Sequence, residues 1–335
     1  MRKQLYYVVG LLALGGASAL AADLPSRKAA LIPPPPPPPL WTGFYAGLNA
    51  GYGAGVSSGA TSAVLGVPGP SDYWSDSGPF APPTTLGSGG ALTGYTQIIQ
   101  SGFIGGGQVG YNYQFGSSFV IGLEADIQGT GIRGSGRHYG AGADTQSGID
   151  LNHGDYIEAS SAASGFAAIN AGVDWLGTVR GRVGYLFTPT FLIFGTGGLT
   201  YGGVYANVSN VAFASTVSAD EDGPAGYGAN HTFVGGGARS QTRVGWNAGG
   251  GFEWLFAPNW SVKAEAIYWT LGSQNVPTAA FAAAPAPDNE DPAWYGDSAF
   301  TAVGGTRVNY QGVIARVGLN YHFNWGASAP VVASY

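Results

Sequence analysis

Eight charged residues stand in otherwise apolar surroundings. They are Glu124 and Asp126 in FVIGLEADIQ, Arg180 and Arg182 in WLGTVRGRVGYLF, Glu253 in VGWNAGGGFEWLF, Lys263 and Glu265 in WSVKAEAIYW, and Arg316 in GVIARVGLNYHF. Members two apart fall on the same face of a strand. Carboxylates and guanidinium groups that share a face can form bidentate ion pairs, and clustered carboxylates can line an ion path. Four acids meet four bases here, so the set sums to zero charge. Burying such groups is costly unless they pair, which makes a self-neutralising network the expected chemistry and a gated polar channel the alternative.

Other chemistries find little support. Nucleophilic catalysis needs a base beside a nucleophile. His138, His153 and His231 fall in expected loops, and His322 falls on an inward face at the end of the last strand. None is tied by sequence to a strand-borne serine, so a lipid-modifying hydrolase or transferase is a weak rival. Cysteine is absent, and the four histidines show no HExxH spacing, so thiol chemistry is excluded and zinc is not expected. Gly105–Gly107 and Gly235–Gly237 precede neither a helical pattern nor a GK[ST] step, so they are no phosphate loops and no cofactor is expected. Within strands such glycines permit curvature and close backbone approach.

The charged residues are carried by segments in which apolar and polar residues alternate with the period of a strand. In the last segment Val313, Ala315, Val317, Leu319, Tyr321 and Phe323 oppose Ile314, Arg316, Gly318, Asn320 and His322. The same alternation runs through WTGFYAGLNAGYG, GFIGGGQVGYNYQF and the four segments quoted above, while FLIFGTGGLTYGG has apolar residues on both faces. Gly116-Ser117-Ser118, Thr188-Pro189-Thr190 and Ala257-Pro258-Asn259 are tight turns. They alternate with long Gly/Ser/Pro-rich stretches over residues 54–101, 133–174, 203–242 and 272–308, expected as external loops. Trp41, Tyr113, Trp175, Trp254 and Trp260 lie near the strand ends, where an aromatic girdle would meet a membrane boundary.

Composition agrees with a membrane barrel. The chain has 58 glycines, 13% aromatic residues and only 10% charged residues, against a usual charged share of about 25%. Residues 1–21 have the layout of a cleaved secretory signal: Arg2 and Lys3, an apolar run from Leu5 to Leu14, and the exit Ala19-Leu20-Ala21. Residues 22–40 form a spacer whose Pro33–Pro39 run favours polyproline II. The barrel is expected over 41–323 and a tail over 324–335. Without Arg2 and Lys3 there are 11 bases against 19 acids, a net charge of −8 with histidine neutral. The excess lies in the expected loops, at Asp220-Glu221-Asp222 and at Asp288, Glu290, Asp291 and Asp297. Such a surface disfavours nucleic acid. It is expected to be solvated, with calcium or magnesium bridging to lipopolysaccharide phosphates as the alternative.

Taken together, WTGFYAGLNAGYG, GGGQVGYNYQF, GLEADIQG, TVRGRVGY, VGWNAGGGFEW, KAEAIYW and RVGLNYHF resemble the small alphaproteobacterial outer-membrane surface-antigen barrels, often labelled porin-like. The resemblance implies an all-β, eight-stranded antiparallel up-and-down transmembrane barrel with a structural or immunogenic surface role and no catalytic residue. Arg316-x-Gly318-x-x-Tyr321-x-Phe323 is similar to the C-terminal signal read by the barrel-assembly machinery, although here a tail follows it. Expected partners are therefore that machinery and outer-membrane lipid, including lipopolysaccharide. Narrow solute passage and loop-mediated adhesion stay open as alternatives.

Overall fold

A computed structural model describes residues 40–56, 59–67, 89–149, 156–219, 228–282 and 300–323. The expected signal, proline tract, tail and acidic loop clusters lie outside these residues. The alternating segments form β1 (Gly43–Gly55), β2 (Gly59–Val67), β3 (Gly94–Gln97), β4 (Ser101–Phe115), β5 (Phe119–Ile149), β6 (Tyr156–Thr188), β7 (Phe191–Ala219), β8 (Gly228–Ala257), β9 (Trp260–Ala282) and β10 (Phe300–Phe323). Their hydrogen-bonded order is β1-β4-β5-β6-β7-β8-β9-β10, and β1 pairs again with β10 from Phe44↔Phe323 to Gly55↔Gly312. This antiparallel sheet therefore closes on itself, which leaves these ladders no free edge. Beyond Gly55, β10 takes β2 as its partner, from Val308↔Ala60 to Thr301↔Val67, and β3 pairs with β2.

The tight turns fall where the sequence places them, and Gly116 adopts a φ of 63°, which glycine tolerates best. The long loops are shorter than expected. The β5–β6 ladder runs to Ile149↔Tyr156, and β7 pairs with β8 up to Val217↔Gly228, across much of the stretches expected as loops. Those stretches are rich in Ala, Gly and Ser, so their alternation is weak in hydropathy while their backbones still pair. Likewise residues 54–101 carry β2, β3 and a helical turn at 89–92.

Side-chain facing follows the alternation near the short turns. Leu123 is 67% exposed while Glu124 is 3% exposed, and the same opposition recurs on each neighbouring strand. In β7 both faces are apolar because Leu192 and Phe194 point inside while Ile193 and Leu199 point out. Trp41 departs from expectation. It is buried, sits edge-on to His322 at 5.7 Å and donates its indole N–H to Pro189 O at 3.0 Å, so it belongs to an interior floor and not to an outer girdle. Entering the ring just before β1 lets the large ring bury its area and still satisfy its N–H.

The interior is layered. Trp41, Val120, Leu186, Leu192, Phe194 and Leu255 make an apolar floor. Farther from the turns lies an apolar core that includes Ile132, Ile169, Val173, Val204, Trp269 and Tyr310. Beyond it Leu92 of the helical turn packs with Val64, Phe233 and Ala302. A bulge in β6 at Val173/Trp175 makes this possible. Asp174 is exposed, Trp175 is partly so, and both Leu176 and Val173 are buried, so the odd-numbered residues that face outward below the bulge face inward above it.

Candidate functional site

Between floor and core lies a polar layer that gathers all eight strand-borne charges, each side chain at most 3% exposed. Arg180 of β6 is its hub. One terminal nitrogen, Nη2, meets Glu124 Oε1 and lies 3.1 Å from Asp126 Oδ2, while Nη1 lies 2.9 Å from Glu265 Oε2. Lys263 Nζ is 2.8 Å from both oxygens of Glu124 and 2.9 Å from Glu265 Oε1. Arg316 closes the group, with Nη2 at 2.7 Å from Asp126 Oδ2 and Nε at 2.8 Å from Glu265 Oε1. Arg182 forms a second centre: its Nη2 bonds Glu253 Oε2 at 2.7 Å, and its guanidinium lies 4.1 Å from the centre of the Phe194 ring.

Uncharged residues extend the network. Tyr45 donates to Glu124 at 2.6 Å and accepts from Arg182, and Thr178 donates to Asp126 at 2.8 Å. Ser261 and Asn320 donate to Glu253 at 2.6 and 2.8 Å, and Gln108 links Asn320 to Asn49. The sequence reading missed these partners, because a lone Tyr, Thr or Ser on a strand carries no spacing signature. A second missed feature is glycine. Gly110, Gly122, Gly198, Gly251, Gly318 and Gly51 stand directly opposite Glu124, Arg182, Arg180, Glu265, Lys263 and Arg316. Leaving out a side chain beside each long one frees the volume into which it folds.

His322 is brought beside a strand-borne serine, contrary to the sequence reading, with Nε2 2.9 Å from Ser261 Oγ. The arrangement still lacks a nucleophile. The single hydroxyl proton of Ser261 is given to Glu253, so Nε2 must donate to Oγ and cannot take its proton. His138 is buried, with Nε2 3.1 Å from Leu92 O. His153 and the His231 side chain lie outside the described residues. Among the described residues no group of three His, Cys, Asp or Glu could hold a metal ion.

A closed antiparallel sheet, apolar outside and ion-paired within, defines a membrane β-barrel. The family model described as "Porin subfamily" matches residues 83–297. The 31 kDa outer-membrane immunogenic proteins of Brucella melitensis and Brucella suis are each 30% identical over 233 residues, covering 69% of this chain and 71% of theirs. The chain belongs to this porin subfamily of outer-membrane proteins. Among solved structures it is similar to OprG of Pseudomonas aeruginosa, with 11% identity, a TM-score of 0.31 and coverage of 84% of this chain and 97% of that one. For Ail of Yersinia pestis the values are 12% identity, a TM-score of 0.25 and coverage of 82% and 99%.

Proposed function

We propose that this chain is an eight-stranded, up-and-down transmembrane barrel plugged by its own side chains, acting as a structural and antigenic surface protein and not as an open pore or an enzyme. In this reading β1 and β2 together make the first strand, and β3 and β4 the second. The observation that carries it is bonding across the ring between strands that are not neighbours: Arg180 of β6 to Glu265 of β9, and Asp126 of β5 to Arg316 of β10. An eight-stranded barrel is just wide enough to be filled by side chains, whereas aqueous channels come with about 16 strands.

The outward aromatics support the membrane placement. One row includes Phe119, Tyr185, Trp254, Trp260 and Phe323, and a second holds the ring pairs Tyr52–Phe103, Trp175–Tyr201 and Trp246–Tyr268. Trp175 and Tyr185 are ten residues apart on β6, which at about 3.3 Å per residue and a tilt near 45° spans roughly 23 Å, close to the apolar band of about 25 Å. The remainder of the long strands then stands outside the cell, with the short turns in the periplasm. Surface display accords with relatives named for immunogenicity. The barrel-assembly machinery is the partner expected to read the segment from Arg316 to Phe323.

Recording from purified protein in planar lipid bilayers tests this. Wild type should show no large, steady conductance, and Glu124→Ala or Arg182→Ala should raise the leak. A steady general-diffusion current through wild type would overturn the plugged reading. Unchanged acylation of lipid A in overexpressing cells, read by mass spectrometry, is the outcome expected of a protein that is no enzyme.

A further inference from the structure

The β8–β9 ladder is broken from Gly236↔Ala279 to Trp246↔Thr270. Arginine side chains line the strip of β9 that this break leaves without a β8 partner, while β10 pairs with it on the other side. Arg243 Nε donates to Leu271 O at 2.8 Å, Arg239 Nη1 to Asn275 O at 3.0 Å and, from β10, Arg307 Nε to Ser273 Oγ at 2.9 Å. Three guanidinium groups are thus anchored along five residues of one strand, about 13 Å at 3.3 Å per residue. Arg239 and Arg307 are exposed and Arg243 is partly so. Among the described residues of β7 to β10 the only carboxylates are Glu253 and Glu265, both buried in the ion-paired layer. The four cations of that layer are paired with carboxylates, whereas these three meet none among the described residues.

The break starts at Trp246, whose ring pairs with Tyr268 in the second aromatic row at 5.3 Å. Arg243 is three residues farther along β8. Cations directly beyond an aromatic row sit at headgroup depth. An anchored guanidinium with free N–H groups matches phosphate in bidentate fashion.

We propose that Arg239, Arg243 and Arg307 form a binding site for the phosphate groups of a phosphorylated glycolipid of the outer leaflet. The site rests on the transmembrane placement above but is independent of whether the lumen conducts. The full chain, folded in detergent and carried into nanodiscs, is titrated with a bis-phosphorylated lipid A and with its dephosphorylated form, retention being read by native mass spectrometry. Heat-modifiable gel mobility reports the fold and membrane insertion in the same samples. Wild type should retain the bis-phosphorylated form and release the dephosphorylated one. R307Q, whose anchor is only the Ser273 hydroxyl, should bind about tenfold more weakly, and R239Q/R243Q/R307Q on the order of a hundredfold more weakly. Equal retention of both lipids, equal displacement by inorganic phosphate of matched concentration, or unchanged retention by a folded R307Q would each overturn the site. Loss of heat-modifiable mobility in wild type would instead defeat the barrel reading.

Discussion

Arg180 and Arg316 each meet Glu124, Asp126 and Glu265, which makes them the two most heavily paired cations of the described interior. Arg180 answers three carboxylates from two strands, whereas Arg182 answers one and rests on the Phe194 ring. Removing one member of a buried ionic group leaves uncompensated charge, at a cost of about 3–5 kcal/mol. Arg180→Ala should therefore destabilise at the upper end of that range and Arg182→Ala less, read as lowered urea midpoints for the shift in gel mobility. Arg180→Met combined with Glu265→Leu should recover part of the loss, because apolar replacement of a buried pair removes the desolvation cost as well as the attraction. An Arg180→Ala barrel as stable as wild type would mean that water solvates the layer. The charged members of this layer were legible because charges two apart in apolar strands have few other uses. Tyr45, Thr178, Ser261 and Asn320 were not, since their role depends on which strand lies across the ring.

At the scale of strands, the glycines decide whether the layer fits. A Cβ on Gly198 would stand 2.1 Å from Val179 O and 2.8 Å from Arg180 Cα, whereas one on Gly195 meets only Gly249 O at 3.9 Å. Gly198→Val should cost about 1–3 kcal/mol by overpacking, while Gly195→Ala should stay within roughly 0.5 kcal/mol of wild type. Equal denaturation midpoints for the two variants would contradict this packing account. Strand existence near the short turns was legible from hydropathy, because lipid on one side and charge on the other give strong contrast. The outer halves were not. In β6 the apolar residues keep odd numbers through the bulge at Val173/Trp175 yet change from facing out to facing in, and no periodicity records such a switch. Trp41 was misplaced for a similar reason, since an aromatic next to a strand end suits an interior floor as well as an outer girdle.

Viewed whole, one wall has two parts of opposite facing. Just above the apolar floor it is polar inside and apolar outside. Farther out, Ile169, Val204 and Val308 fill the interior while Asn170 and Asn207 face water, as in a soluble fold. The part near the turns depends on the closure of β1 against β10, whose last rung is Phe44↔Phe323. Two members of the proposed assembly signal already have interior duties, because Arg316 pairs with Asp126 and Glu265, and Gly318 lies opposite Lys263. Tyr321 and Phe323 instead meet at 5.1 Å on the outside, beside Trp260, where an assembly factor could reach them. Phe323→Ala should thus lower the amount of protein reaching the outer membrane while leaving the urea midpoint of the assembled fraction near that of wild type. Deletion of 324–335 should leave both unchanged. Fractionation of cells expressing each variant, with heat-modifiable mobility as the measure of folding, separates the possibilities. Assembly that survives Phe323→Ala but fails on removal of Tyr335 would move the signal to the chain end.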